Sequence, residues 1–356
     1  MLNYKELEQF TCQVFKTMGC SSEDAQLASN VLIKADLRGI DSHGVARLSG
    51  YYRLYESGRI NPKPNITIQR EKKGVFSIDG DAGLGLVIAP KTMQIVLEKT
   101  EQFGASYAAI SNSNHFGIAA YHAMMALEKN YIGMAMTNAS PLVAPTFGTQ
   151  RMLGTNPICY AIPAGKELPF VLDMATSAAA NGKLEIAERK NEEIPEGWVE
   201  TKEGNTSVLP TDLKKGGYLL PLGSNKEMGS HKGYGLGSLV DILSGVLSGA
   251  NFGPWVPPFV SFLPVLPNLP GKGIGHFLGA MDVDGFIEIQ EFKNRMDLWI
   301  QTFKKTESKK GKNVAIHGEF EFMEEKIRLV EGISVDEKVC YDLTQLAMKL
   351  KLDHPF

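Results

Sequence analysis

Residues 106–137 read SYAAISNSNHFGIAAYHAMMALEKNYIGMAMT, and this stretch decides the fold class of the chain. The apolar runs at 106–111 and 131–137 predict two strands, and residues 117–129 between them predict a helix. Working outward, similar short runs predict further strands at 74–79, 158–162, 169–173 and 274–283. Strands that are interspersed with helices indicate a mixed α/β or α+β protein.

Helices are predicted on both sides of this centre. Apolar spacing and capping residues predict helices at 4–18, 21–38, 42–54, 87–102, 177–190, 233–248, 285–304, 319–331 and 335–350. The polar residues 191–217 and the proline-rich residues 254–270 are expected to form loops.

Size and charge narrow the class of protein. A chain of 356 residues can bury one large core or two modest ones. Its net charge of −3 provides no strong basic field for binding nucleic acid. The four cysteines form no CxxC pair, so we expect free, reduced and mostly buried thiols and a cytoplasmic setting.

No targeting or membrane segment is expected. The first ten residues, MLNYKELEQF, are amphipathic and unlike a secretory signal. The longest apolar runs, 234–250 and 254–270, are interrupted by Asp241 and glycines and by prolines, respectively, so neither is suited to span a membrane.

Two histidines stand in settings that suit chemistry. His43 precedes Arg47 by four residues, so the two would share one face if residues 42–54 are helical. An imidazole can transfer a proton near neutral pH, and a guanidinium binds a carboxylate through two hydrogen bonds. His115 follows a predicted strand within a run of Ser and Asn that is typical of a loop lining a site. Together they predict a site for a small acidic substrate that exchanges a proton.

Other uses of these histidines have less support. His43 could close a helix-to-helix corner and His115 a capping turn. Asp41, His43 and His115 could in principle hold zinc, but no HExxH, HxH or paired CxxC supports a metal site. Ser42 lies next to its candidate base, and no GxSxG motif is present, so a serine nucleophile is disfavoured.

The glycine patterns do not match a known nucleotide motif. Neither a Rossmann GxGxxG after a strand nor a P-loop is present, so any nucleotide is held by another scaffold. His231 and Lys232 directly precede the predicted helix 233–248, where free amides and a lysine favour an anion. A plain surface lysine is the alternative. Asp173 ends a predicted strand, where it could bind a ribose hydroxyl or cap the next helix.

Taken together, these residues resemble one family over nearly the whole chain, the malate/L-lactate dehydrogenase family of the second type. The resemblance is carried by ordered motifs: DSHGVxRL at 41–48, GRINP at 58–62, NSNHFG at 112–117, GTNP at 154–157, LDMATS at 172–177, GK at 182–183, PEGW at 195–198 and KGYGL at 232–236. Two features depart from it: His317 stands where relatives often carry proline, and the loop 254–270 is unusually apolar.

The resemblance implies a mixed α/β, non-Rossmann fold. It has a central cofactor-binding domain and a largely helical domain formed from both termini. In this chain the helical domain would comprise 1–75 and 305–356, the mixed sheet core 76–120 and the NAD(P)-binding domain 121–304. A homodimer is also implied, whereas no nucleic-acid or membrane partner is.

The resemblance further implies an NAD- or NADP-dependent oxidoreductase of 2-hydroxy acids, with malate and oxaloacetate as first choice. Lactate, sulfolactate, ureidoglycolate and cyclic imino acids are alternative substrates. A non-catalytic NAD(P)-binding protein and a metal-dependent hydrolase or lyase are alternatives of another class.

Roles for single residues follow from the same resemblance. It implies a catalytic group of His115, His43 and Arg47, in which the roles of the two histidines are interchangeable. The substrate would contact Ser42, Arg47, Tyr51 and Ser140. The cofactor would contact Asn156, Asp173, Met174, Ala175, His231, Lys232, Gly318 and Glu319.

Overall fold

The computed structural model describes residues 1–356 and contains ten strands and ten α-helices. The strands are β1 (Thr67–Lys72), β2 (Val75–Asp79), β3 (Ala105–Ser113), β4 (Tyr131–Thr137), β5 (Ile158–Ile162), β6 (Phe170–Met174), β7 (Val199–Glu200), β8 (Thr206–Ser207), β9 (Tyr218–Leu219) and β10 (Ile274–Asp282). The helices are α1 (Tyr4–Thr17), α2 (Ser22–Leu37), α3 (Leu48–Glu56), α4 (Gly85–Phe103), α5 (Ala119–Met124), α6 (Asn181–Lys190), α7 (Ser230–Asp241), α8 (Ile289–Lys304), α9 (Glu319–Glu331) and α10 (Glu337–Leu350). No helix combines the length and the apolar character that crossing a membrane requires.

Seven strands form one sheet in the order β1-β2-β3-β10-β4-β5-β6. Only β2 and β3 pair in parallel, and every other neighbouring pair is antiparallel. Because β10 and β5 run opposite to their neighbours, β2, β3, β4 and β6 all point the same way. The loops that follow β3, β4 and β6 therefore leave the sheet at one shared edge.

Alternation along the central strands explains why this sheet forms. In β4, Ala135 packs into the cluster beneath α4 and α5, whereas Met134 and Met136 pack on the opposite face beside α7. In β10, Leu278 faces the first cluster and Phe277 the second. Both faces are covered, so the predicted mixed α/β class is confirmed, and the strands carry few charges because they are buried on two sides.

The helices from the two ends of the chain share one apolar cluster. It includes Leu7 of α1, Leu32 of α2, Leu54 of α3 and Leu343 of α10, all of them buried. An isolated bridge between Leu2 and Ile333 joins the start of the chain to the segment between α9 and α10. The proposed division into domains stays a prediction, because packing of this kind does not by itself draw a boundary.

Several predicted helix bounds are wrong near the site. Residues 42–54 do not form one helix: a 3₁₀ turn at Val45–Arg47 is followed by α3. His43 therefore lies in the loop between α2 and this turn. The helix predicted at 117–129 ends at Met124 and continues as a 3₁₀ turn. The helix predicted at 177–190 begins only at Asn181. In the first and third cases a tertiary hydrogen bond holds the backbone instead, from Val45 to Asp36 and from Ala178 to Leu220.

The helix predicted at 233–248 also differs. It begins earlier, at Ser230, after Gly229 in a left-handed conformation (φ 98°), and it turns π-helical at Ile242–Val246. Two sets of strands were not predicted. β1 is a polar, exposed edge strand, and β7, β8 and β9 have two residues each, which is too short for a periodic pattern.

Candidate active site

A buried carboxyl group shapes the turn that carries His43 and Arg47. Asp36, near the end of α2, is 2% exposed, and it accepts a hydrogen bond from the backbone N–H of Val45 at 2.8 Å. Gly44 lies directly against the same carboxyl group, and a Cβ at this position would collide with it. Burial raises the pKa of Asp36 to about 8. The turn is therefore held by the core below it and not by helical hydrogen bonds.

The loop that carries His115 is fixed from both sides. The side-chain amide of Asn114 donates to the carbonyl oxygens of Ala82 and Gly83 at 2.9 and 3.1 Å. The ring of Phe116 lies between two buried histidines, with centroid distances of 4.6 Å to His122 and 4.8 Å to His276. A loop with so many buried contacts has little freedom, so the position of His115 is well defined.

His43, Arg47, His115 and Ser140 line one cavity at the shared edge of the sheet. The imidazole rings of His43 and His115 stack, with centroids 5.8 Å apart and an interplanar angle of 22°. The remaining wall consists of Ala139, Leu142, Thr155, Ala180, Asn181, Gly182, Phe259, Val260 and Ile274. The structure thus brings together both histidines and the arginine, although the helical face that was expected to align His43 with Arg47 does not exist.

Tyr51 holds His115 from behind. Its side chain is fully buried, and its hydroxyl lies 2.6 Å from Nδ1 of His115 and 3.4 Å from the carbonyl oxygen of the same residue. The backbone N–H of Gly117 also approaches Nδ1, at 3.3 Å. Nε2 of His115 has no hydrogen-bond partner within the chain, so it is the nitrogen available to a ligand.

Burial favours the neutral form of both histidines. Desolvation, with a smaller contribution from the charge of Arg47, lowers the pKa of His43 to about 4, although Glu185 opposes the shift. Desolvation also lowers the pKa of His115 well below its ordinary value, and His43 and Arg47 add to this. A neutral imidazole in a cavity can accept a proton, which is the property that a general base needs.

The guanidinium of Arg47 is already engaged by the chain. Its Nη2 and Nη1 donate to Glu185 of α6 at 2.7 and 3.3 Å, and its Nε donates to the carbonyl oxygen of Ser42 at 2.6 Å. Asn181 donates to the same carboxylate at 2.8 Å. Sequence reasoning missed Glu185 and Asn181, although both flank the GK motif at 182–183.

Two other predicted substrate residues have partners within the chain. Ser42 places its Oγ 2.9 Å from Nδ1 of His43. Ser140 accepts a hydrogen bond from the backbone N–H of Phe259 at 2.8 Å. Phe259 belongs to the proline-rich loop, and its ring centroid lies 4.7 Å from that of His115. The sequence marked this loop as unusual but did not identify the residue.

Asp173 and Gly318, two of the predicted cofactor residues, line a separate cleft of about 280 Å³ together with Arg38. Asp173 accepts a hydrogen bond from the backbone N–H of Ala120 at 2.8 Å, so it caps α5 and remains open to the cleft. Desolvation raises the pKa of Asp173 to about 6. Asp173 does not cap the next helix, α6, as one interpretation had it, because it bonds to α5, which precedes it in the chain. Its opening to the cleft leaves the ribose interpretation as a prediction.

The other predicted cofactor residues lie near this cleft or at the start of α7. Met174 and Ala175 follow Asp173 and are half-buried, while His231 and Lys232 are exposed in the first turn of α7. Glu319 begins α9 and pairs with Lys304 at 2.7 Å. Asn156 is fully buried, and its amide bonds to the backbone of Ala139 and of Gly237, at 3.1 and 2.9 Å. It therefore joins two segments of the chain.

These residues fit a dinucleotide. The first turns of α7 and α9 have no side-chain cap, which leaves backbone N–H groups for phosphate oxygens, and Lys232 adds a charge beside one of them. Gly318 has a left-handed backbone (φ 92°), and a Cβ at this position would meet Val171 at 2.8 Å. Glycine is therefore required here by the backbone conformation and by packing against Val171, and this packing holds the start of α9 at the cleft.

Asp41 does not face the histidines. It forms an ion pair with Arg328 of α9 instead. Within the chain, no three His, Cys, Asp or Glu side chains come close enough together to hold a metal ion.

Comparisons with known proteins identify the family of the chain. The family model described as malate/L-lactate dehydrogenase matches residues 2–344. Malate dehydrogenase from Pyrococcus horikoshii is 41% identical over 98% of this chain and 94% of its own length. L-sulfolactate dehydrogenase from Methanocaldococcus jannaschii is 34% identical over 96% and 94%.

A solved structure shares the fold over the whole chain. The crystal structure of malate dehydrogenase from Entamoeba histolytica superposes with a TM-score of 0.92 at 32% identity, covering 100% of this chain and 99% of that one. The chain therefore belongs to the malate/L-lactate dehydrogenase family, and it is an oxidoreductase that acts on a hydroxy acid.

Proposed function

We propose that this protein is an NAD(P)-dependent dehydrogenase that interconverts malate and oxaloacetate. The observation that carries the proposal is the convergence of His43, Arg47 and His115 on one cavity. The names of the relatives support malate as the first substrate to test. The nicotinamide, when bound, accepts or donates the hydride, and the residues of the cavity bind the acid and move its proton.

Arg47 binds the substrate carboxylate at C1. Its guanidinium already bonds to a carboxylate, that of Glu185, in the geometry that a substrate carboxylate would use. The incoming acid must therefore displace Glu185 or take the outer hydrogens of the guanidinium. In either case the acid binds to Arg47 itself, because no other arginine or lysine lines the cavity.

His115 moves the proton of the substrate hydroxyl. For Nε2 to accept it, Nδ1 must carry the ring hydrogen and donate it to Oη of Tyr51, 2.6 Å away, and the longer 3.3 Å contact from the N–H of Gly117 to Nδ1 is then given up. The hydroxyl of Tyr51 can then donate to the carbonyl oxygen of His115, 3.4 Å away. We accordingly propose Tyr51 as a positioning residue for His115, because its hydroxyl is buried and does not line the cavity.

His43 hydrogen-bonds the carbonyl or the second carboxylate of the acid, with Ser42 fixing its ring through Nδ1. Ser140 lines the same cavity and orients the loop beside it. The roles of His43 and His115 are interchangeable in this scheme, and substitutions of each distinguish them.

Asp173, Gly318 and Lys232 are the residues that would hold the cofactor. We propose that Lys232 contacts its phosphates and that Asp173 contacts a ribose hydroxyl. The position of Asp173 in an open cleft, close to the left-handed Gly318, supports this assignment. The choice between NAD and NADP is a question for the experiment below.

The test is the absorbance of the reduced nicotinamide with purified protein. NADH and NADPH are each offered with oxaloacetate, pyruvate, 3-sulfopyruvate and a cyclic imino acid. If the reduced nicotinamide is consumed fastest with oxaloacetate, the proposal is supported. If it is consumed faster with another acid, that acid is the substrate and malate is rejected. Binding of NADH without turnover of any acid would indicate a non-catalytic nucleotide-binding protein instead.

We further propose that the chain acts as a homodimer. Several large apolar side chains are exposed on α7 and the turn after it, namely Tyr234, Leu239, Ile242, Val246 and Leu247. Exposed apolar patches of this kind mark association surfaces. Sedimentation equilibrium of the purified protein tests this, and a mass of one chain at micromolar concentration would reject it.

A further inference from the structure

The proline-rich loop enters the candidate active site through a single buried strap, Val256–Phe259. Val256 is 1% exposed and Phe259 is 7% exposed, whereas residues 264–270 beyond them are exposed. The ring of Phe259 packs against two residues of the proposed machinery. Its centroid lies 4.7 Å from that of His115 and 5.1 Å from that of Tyr51.

Three hydrogen bonds anchor this strap, and all of them use its backbone. Ser140 accepts from the N–H of Phe259 at 2.8 Å, and Arg53 donates to its carbonyl oxygen at 2.5 Å. Arg59 donates to the carbonyl oxygen of Pro258 at 2.7 Å. The strap is thus clamped to the loop after β4 and to the region of α3. Truncation of the Phe259 side chain would leave all three bonds in place.

A glycine on the neighbouring helix leaves room for the ring of Phe259. Gly50 of α3 lies beneath it, and a Cβ at this position would meet Cζ of Phe259 at 2.7 Å. Glycine inside a helix is less stable than alanine, so its presence here has a packing reason. The ring therefore occupies a fitted slot and is not a chance contact.

The ring of Phe259 forms one wall of the cavity, beside the proposed proton-transfer group. Arg47 supplies the only guanidinium in the cavity, and His115 supplies the proton-transfer group. Phe259 and Val260 provide an apolar surface beside His115, where they limit the space for the group attached to the 2-carbon of the acid. An apolar wall discriminates by size, because a bulky group must displace the ring.

We propose that Phe259 is a specificity-determining residue, which restricts this enzyme to 2-keto and 2-hydroxy acids with a compact substituent at the 2-carbon. Branched and aromatic 2-keto acids are excluded by the ring. The inference rests on the proposed function of the cavity, and it names the class of substrate that the cavity admits.

The test compares Phe259→Ala with the wild-type enzyme on oxaloacetate, pyruvate and phenylpyruvate. We expect the ratio of kcat/KM for the best small acid to kcat/KM for phenylpyruvate to fall by at least about 10-fold, the scale of discrimination in apolar pockets. Leu266→Ala, in the exposed part of the same loop, is the matched control and should leave the ratio unchanged. Phe259→Leu provides an intermediate size if the alanine variant does not fold.

A second measurement is independent of turnover. Calorimetry of the NADH-loaded protein with oxamate and with its N-phenyl derivative reports binding of a compact and of a bulky analogue. Phe259→Ala should strengthen binding of the phenyl derivative relative to oxamate. An equal loss for every acid and both analogues would overturn the proposal and leave Phe259 a purely structural residue. If the wild-type enzyme reduces no 2-keto acid at all, the proposed function fails, and the analogue binding still tests the wall.

Discussion

The carboxylate of Glu185 binds the guanidinium of Arg47 through both Nη1 and Nη2, with the shorter contact at 2.7 Å. The chain thus places its own carboxylate where the proposed function places that of the substrate. Asn181, one turn earlier on α6, keeps Glu185 in position. Binding of an acid must therefore compete with an internal group of the same chemistry.

Replacement of Glu185 by glutamine should therefore favour the substrate. Glu185→Gln removes the negative charge beside Arg47, so we expect the KM for the keto acid to fall about 3- to 10-fold, in line with the net strength of a typical hydrogen bond. Steady-state kinetics measure this. Glu188→Gln, which lies on the same helix and pairs with Lys214 instead, is the control. A higher KM would show that Glu185 mainly orients Arg47.

Substitution of His115 should remove the proton-transfer step. We expect His115→Ala to lose roughly 10²–10⁴ in kcat, the usual contribution of a positioned acid or base. The affinity for NADH, measured by fluorescence, should change little. His354→Ala changes a histidine near the C-terminus and serves as a control. Turnover close to that of wild type in His115→Ala would transfer the role to His43.

Arg47→Lys should damage binding more than turnover. Lysine keeps the charge but lacks the planar fork that holds a carboxylate through two bonds. We expect the KM for the keto acid to rise by at least about 10-fold, the worth of one charge-assisted hydrogen bond. An unchanged KM with every acid of the panel would remove Arg47 from the substrate site.

The stability of the fold should depend on two buried histidines. Desolvation lowers the pKa of His122 to about 4 and that of His276 to about 3, from an ordinary value of 6.5. Between these values the unfolded chain takes up protons that the folded chain does not. Each histidine should therefore reduce the free energy of unfolding by about 2 kcal/mol as the pH falls from 6.5 to 5.

Urea unfolding at pH 7 and at pH 5 measures this effect. His122→Gln should lose less stability between the two pH values than the wild type, because it lacks one of the buried histidines that the unfolded chain protonates in this range. Asp36 titrates with the opposite sign, since its raised pKa disfavours the folded state as the pH rises, so the comparison must be made between variants and not from wild type alone. An identical pH dependence in both proteins would contradict the assignment.

Gly44 should not tolerate a side chain. A Cβ at this position would collide with the carboxyl group of Asp36, so Gly44→Ala must move the turn that carries His43 and Arg47. We expect a loss of about 1–3 kcal/mol in the free energy of unfolding, together with a marked loss of activity. Gly285→Ala, at a position with no atom within 4 Å of the added Cβ, is the control. Full activity of Gly44→Ala would show that the turn is adaptable.

Local patterns predicted the centre of the fold well. The strands at 131–137 and 158–162 were predicted with their observed bounds, since a strand in a sheet that is covered on both faces leaves a short, continuous apolar run in the sequence. A helix across 42–54, which would align His43 with Arg47 on one face, was wrong at its start, because the regular helix α3 begins only at Leu48. Residues 40–44 form turns around Asp36, and nothing local in the sequence announces that buried carboxyl group.

The sequence alone determined the family, the mixed α/β class and the residue types that suit proton transfer and carboxylate binding, because these are written in local patterns and ordered motifs. The tertiary structure alone decided that His43, Arg47 and His115 line one cavity. It also decided that Glu185 binds the guanidinium of Arg47, that Tyr51 contacts His115 and that Phe259 forms the wall beside His115. These contacts join segments that are distant along the chain. Their geometry depends on strand order and on packing of the core, and neither leaves a periodic signal in the sequence.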